Sequence, residues 1–179
     1  EVRKGDSIRV FAEVTMPENG QDAPVAMNDT LIFSLESGVE QHVILVAVGQ
    51  DAYMWRGRVI EKDTLLQGGR PIVVYDSLSV KAGVTLSMAP GVKLYFHDGA
   101  SLWVHGRINV EGTAERPVVF RGDRTDRMFD YLPYDNTPSR WGGIRLKATS
   151  EDNRVNYADI HSASFGIACD SSSLDFVKL

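Results

Sequence analysis

From Leu78 onward, a step of eight residues lands on an apolar side chain at Leu78, Leu86, Leu94, Leu102, Val110 and Val118. A second series, two residues later, runs Val80, Met88, Phe96, Val104, Gly112 and Phe120, and only Gly112 interrupts it. Residues two apart lie on one face of a strand, so each step reads as a short strand with two inward side chains. Turn-forming pairs recur between the strands: Ala82-Gly83, Pro90-Gly91, Asp98-Gly99, His105-Gly106 and Gly112-Thr113. Three such units make a coil of 24 residues. Adjacent coils then stack about 4.8 Å apart, and each buries its inward residues only against its neighbours. The predicted stacking pairs are Leu78 with Leu102, Leu86 with Val110, Leu94 with Val118 and Phe96 with Phe120. On the outside the same register pairs Ser87 with Glu111 and Lys93 with Pro117. The fold class predicted is all-β, with residues 76–179 forming the first coils of a right-handed parallel β-helix.

The period breaks after Phe120. Residues 121–140 form a polar insertion rich in Asp, Arg, Pro and Tyr, as expected of a loop leaving one corner of a coil. Apolar alternation returns at Trp141-Gly142-Gly143-Ile144 and continues through Leu174-Asp175-Phe176. The chain is expected to be part of a longer β-helix, because no capping element follows before Leu179. Ahead of the coils, Ile8-Val10-Ala12-Val14, Leu31-Phe33-Leu35 and Val43-Leu45-Ala47 alternate as strands, with turns at Met16–Gly20, Asn28-Asp29 and Glu36–Gly38. They suggest a partial antiparallel sandwich over residues 1–52, and residues 53–75 read as a joining segment or cap. No window shows sustained helical spacing.

Composition narrows the chemistry. The chain has 179 residues, a net charge of −5 and scattered Lys and Arg, so it lacks the basic face that nucleic acid requires. No apolar run reaches the roughly 20 residues of a membrane span, and no signal peptide is evident. Cys169, the single cysteine, lies in the apolar run Gly166-Ile167-Ala168-Cys169 and reads as a small buried residue. His97 and His105 lie eight apart, which places them at successive corners rather than around one metal. Asp123, Asp126, Asp130 and Asp135 are irregularly spaced and accompany no RTX-type glycine repeat, so calcium is the lesser of the readings open for them. No cofactor is expected. The candidate interaction surface is the insertion and its exit. Asp123, Asp126, Tyr131, Tyr134, Asp135 and Trp141 combine aromatic faces with hydrogen-bonding groups, as suits a sugar. The competing reading has the aromatics pack against the coil, with Arg121, Asp123, Arg124 and Asp126 tying the loop down. The Trp141-Gly142-Gly143 turn likewise reads as a sharp return into the coil with Trp141 covering a corner.

Three stretches together carry a family resemblance: Leu86–Phe96, Gly112–Phe120 and Trp141–Ile144. They resemble the entry coils of bacterial secreted right-handed β-helix proteins of the pectin-lyase-like superfamily, over roughly residues 72–179. Asn28–Phe33 and Val48–Ala52 resemble the closing strands of an immunoglobulin-like module that precedes such coils in surface lipoproteins. The opening strands of that module and a lipobox cysteine are not in this sequence. The resemblance implies a cell-envelope, outer-membrane-surface or extracellular location, with a lipid anchor upstream. It speaks to fold and not to activity. The expected role is a non-catalytic scaffold or binding protein whose partner is carbohydrate or another surface protein. The alternative is a polysaccharide lyase or hydrolase with its catalytic coils outside this chain.

Overall fold

The structure, a computed structural model, describes Gly5 and residues 7–176. The chain divides into two compact units, residues 1–51 and 52–179.

In the first unit, β1 (Val25–Ser34) and β2 (Glu40–Gly49) pair antiparallel over ten residue pairs, from Val25 with Gly49 to Ser34 with Glu40. The expected turn at Glu36–Gly38 joins them, with Gly38 at φ 81. The expected turn at Asn28-Asp29 does not form. Both residues lie inside β1, where the long ladder outweighs their local preference, and the Asp29 carboxylate instead accepts the Thr30 N–H at 2.7 Å. Ile8 to Val14, expected as a strand, joins no ladder; Ile8 and Val14 are more than 60% exposed. Alternation supplied a face but no partner strand for it.

The second unit is a parallel β-solenoid of about five turns. The first coil holds β3 (Tyr53–Ile60) and β4 (Thr64–Leu66). The second holds β5 (Ile72–Val80) and β6 (Thr85–Met88). The third holds β7 (Lys93–Phe96), β8 (Ser101–Val104) and β9 (Arg107–Glu111). The fourth contains β10 (Val118–Gly122), a hairpin of β11 (Arg127–Phe129) and β12 (Leu132–Pro133), a 3-10 turn (Tyr134–Asn136), then β13 (Gly143–Leu146) and β14 (Asn153–Asn156). The fifth comprises β15 (Ala158–Ile160), β16 (Ile167–Cys169) and β17 (Leu174–Phe176). Two walls meet along β5, which pairs with β7 through its first half and with β8 through its second. One wall stacks β5, β7, β10 and β15, and the other stacks β5, β8, β13 and β16. The third wall stacks β4, β6, β9, β14 and β17. Residues 53–75 thus supply two strands and part of a third to the same stack. The expected open end at Leu179 lies outside the described residues.

The inward positions are those that the eight-residue step marks. Leu78, Leu86, Leu94, Leu102, Val110 and Val118 are all fully buried, as are Val80, Phe96, Val104 and Phe120. At roughly 1.5–3 kcal/mol for each large apolar side chain, this continuous core is the main favourable term. Of the predicted stacking pairs, only Leu78 with Leu102 is found. Leu86 lies against Ile108, so Val110 lies against Met88, and Leu94 lies against Phe120. The outer pairs shift likewise: Ser87 meets Asn109, and Lys93 meets Val119. Unequal corners are the cause. His105 and Gly106 alone separate β8 from β9, whereas residues 112–117 separate β9 from β10. The tight corner depends on Gly106, where a Cβ would lie 2.1 Å from Val84 O and 2.3 Å from Lys81 O. These slips are of two residues, so every inward side chain stays inward while its neighbour changes.

Phe96 therefore sits against Gly122, not Phe120. Phe96 instead stacks on Trp141, which is 1% exposed, with ring centroids 4.3 Å apart. Its indole N–H donates to His161 O at 2.9 Å, so the one polar atom of this buried ring is satisfied. Cys169, expected to be buried, is exposed. Its register partner Leu146 is buried, but among the described residues no strand pairs with the other edge of β16.

Candidate functional site

The parallel register builds columns of outward side chains on the wall of β5, β7 and β10. One column runs Val73, Tyr95, Arg121. His161 extends it, since its N–H donates to Phe120 O at 3.1 Å. Beside it run Arg56, Tyr75, His97 and Asp123, each touching the next. The Arg56 guanidinium lies 4.7 Å from the Tyr75 ring centre, and the Tyr75 and His97 rings are 4.7 Å apart. His97 Nδ1 is 2.6 Å from Asp123 Oδ2.

The insertion folds back onto these columns. Asp135 Oδ1 lies 3.0 Å from Arg121 Nη2 and 2.9 Å from His161 Nδ1. That oxygen is buried, and neither approach is aligned as a hydrogen bond, so charge holds the junction more than directional bonding does. Arg121 and Asp135 keep only 17% and 22% of their side-chain surface, so their attraction is less screened than that of a surface pair. Beneath them, burial pushes the Tyr95 hydroxyl above its ordinary value; Arg121 opposes this and Asp135 adds to it. The Tyr95 hydroxyl therefore keeps its proton and can donate it in a hydrogen bond. Arg124 grips Asp126 through two bonds of 2.7 and 2.5 Å and holds that carboxyl below the usual range. The same guanidinium covers Tyr134 at 4.0 Å, with Arg140 at 5.6 Å from that ring.

The six sequence candidates thus part ways. Asp123 and Asp135 anchor the loop to the wall, while Asp126 and Tyr134 brace it internally. Trp141 belongs to the core and offers no face to a ligand. Tyr131 alone is largely free, at 81% exposure, and it stacks in parallel on half-exposed Phe129 with centroids 5.6 Å apart. Behind the hairpin, Asp135, Asn136 and Thr137 face His161 and Ser162 across a crevice of about 430 Å³, within the range of small-ligand sites at roughly 300–1,000 Å³. Another cleft, of about 460 Å³, lies in the first unit and is lined mainly by apolar side chains such as Val14, Met27, Ile44 and Val46. Among the described residues no group of His, Cys, Asp and Glu converges as a metal site. No described helix is long and apolar enough to cross a membrane.

Tyr75, Tyr95, His97 and His161 were not sequence candidates. A uniform 24-residue register places Val119 over Tyr95; the actual step of 26 places Arg121 there. No family model, no curated protein and no solved structure matches this chain.

Proposed function

We propose that the chain is a non-catalytic scaffold of the cell envelope or extracellular space that presents a carbohydrate-binding surface on its fourth-coil insertion. The stacked Phe129–Tyr131 pair carries the reading. It stands exposed at the tip of a loop whose base is held by Asp135 with Arg121 and by Asp123 with His97. An anchored loop loses little conformational freedom when it binds, which favours a built recognition surface. An aromatic face suits the apolar face of a sugar ring, and the crevice behind it adds Asn136, His161 and Ser162 as hydrogen-bonding groups. The charge-paired carboxylates favour binding over acid–base chemistry. A pectin-lyase-like origin for the coils, an immunoglobulin-like character for residues 1–52 and a lipid anchor upstream are parts of this proposal, and they rest on sequence resemblance.

The test is a glycan array probed with the protein and with a Phe129→Ala, Tyr131→Ala double variant. Both residues lie outside the core, so circular dichroism of the variant should match the parent. Binding of a glycan that the variant loses supports the proposal. Binding that persists in the folded variant, or an array with no bound glycan, sinks it. Depolymerisation of a bound glycan by this chain would overturn the non-catalytic part.

A further inference from the structure

The loop ahead of β1 holds a reactive peptide group. Asn19 is the one asparagine of six that a glycine follows. Asn28, Asn109, Asn153 and Asn156 lie inside strands, and Asn136 precedes β-branched Thr137. Gly20 is exposed at φ 69, with open space where a Cβ would stand. A side chain there would crowd the approach of the Asn19 amide to the Gly20 nitrogen, and glycine removes it. The Asn19 side chain folds along the backbone that follows, since its Oδ1 accepts the Gln21 N–H at 2.7 Å. That bond polarises the amide carbonyl and lays it alongside the Gly20 peptide. The Asp51 carboxylate meets the same peptide from elsewhere in the chain. Its Oδ2 accepts the Gly20 N–H at 2.9 Å, and its Oδ1 accepts the Asn19 N–H at 3.2 Å. An electrophile and a proton acceptor thus flank one backbone nitrogen.

We propose that Asn19 and Gly20 form a self-modification site, at which Asn19 converts to isoaspartate and aspartate without an enzyme. The Gly20 nitrogen gives its proton to Asp51 and attacks Asn19 Cγ, forming the new C–N bond of a cyclic imide. The Cγ–Nδ2 bond breaks, and the side-chain nitrogen takes up that proton and leaves as ammonia. Water then adds to one of the two imide carbonyls. Opening at the backbone carbonyl gives isoaspartate, with the main chain rerouted through Cβ and Cγ. Opening at the side-chain carbonyl gives aspartate. Either product sets a new carboxylate beside Asp51, and isoaspartate also lengthens the backbone ahead of Gly20. The loop is held just past β2 by these two bonds to Asp51, by the Gln50 Nε2 bond to Asp22 O at 2.7 Å and by Met16 against Gly49. Conversion removes the bonds to Asp51, so the loop loosens irreversibly as the protein ages. The device stands apart from the insertion surface.

The full chain is aged at neutral pH, and each asparagine is followed by peptide mapping with mass spectrometry and by isoaspartate-specific methylation. Asn19 should convert first, with isoaspartate the larger product, while exposed Asn136 stays largely intact. Asp51→Asn keeps the shape of the proton acceptor and removes its charge, and should slow the conversion several-fold. Asn19→Ser keeps a side-chain oxygen for the Gln21 N–H and cannot cyclise. Hydrogen exchange at Gly20 and Gln21 should speed up in the aged parent and stay constant in aged Asn19→Ser. Conversion at Asn19 no faster than at Asn136, faster conversion in Asp51→Asn, or unchanged exchange in the converted protein overturns the proposal.

Discussion

Asn153 offers the sharpest test of how the coils are joined. It is 1% exposed at the start of β14 and bonds to two neighbouring coils. Its Oδ1 accepts the Ile108 N–H of the third coil at 2.9 Å. Its Nδ2 donates to Ser173 O of the fifth coil and to buried Ser150 Oγ, both at 2.9 Å. Asn153→Leu keeps the branched heavy-atom outline, with a somewhat larger volume, and leaves each of these partners without its bond. Each buried polar group left unsatisfied costs about 1–3 kcal/mol. Extra apolar burial offsets part of this, so a net loss of about 2–5 kcal/mol follows. Asn153→Asp separates the terms. It retains an acceptor for Ile108 but sets a carboxylate oxygen against Ser173 O. Burial without a cation raises the folded-state pKa of the new carboxyl above its unfolded value of about 3.9. The penalty is thus absent below the unfolded value and grows as pH rises through the folded one. Urea denaturation followed by circular dichroism at pH 4 and pH 7 measures both variants. Native-state hydrogen exchange should show Ile108 losing protection first in Asn153→Leu. Wild-type stability of Asn153→Asp at pH 7, or a loss under about 1 kcal/mol in Asn153→Leu, would refute this account of the joint.

Three further outcomes can be checked. Gly106→Ala forces a Cβ against Val84 O and Lys81 O, so the corner must open. The thermal midpoint should fall by more than the roughly 1–3 kcal/mol of ordinary overpacking implies, and an unchanged midpoint would contradict the two-residue corner. Trp141→Ala should cost about 3–5 kcal/mol in urea denaturation, and near-parent stability would place the indole outside the core. In Arg124→Ala, the Asp126 carboxyl should titrate closer to a free Asp, near about 3.9, by NMR. The stabilisation lost is that present above the unfolded pKa, which disappears as pH falls through the depressed folded value. Both groups are exposed and screened, so global stability should barely move.

The wall positions were legible because burial enforces a period of two, and alternation survives whatever the corners do. The stacking pairs were not, because corner length is set by local turns such as His105-Gly106, and a two-residue slip leaves the apolar pattern intact. This also explains the site. Tyr95 meets Arg121 only through the long corner at residues 112–117, and Phe96 faces Gly122 in the ladder and stacks on Trp141 from the far end of the insertion. Neither fact is a property of a short window of sequence. The competition between packing and display in the insertion was readable in outline, since Arg and Asp alternate there. Which aromatic remained free depended on a hairpin tip that orients Tyr131 outward and on Arg124 covering Tyr134.

The bend between the two main walls has a history written in its length. Gly57 crosses it in the first coil at φ 53, and Asp76 crosses it in the second at φ 63. The third coil uses residues 97–100, and the fourth uses everything from 123 to 142. One corner thus accepts anything from a single residue to a hairpin while the strands on both sides keep their ladder. That makes it a modular socket. New loops can be grafted or lost there between Gly122 and Trp141 while the ladders and the Trp141 core contact stay in place, so recognition can diversify at this position faster than the scaffold that carries it.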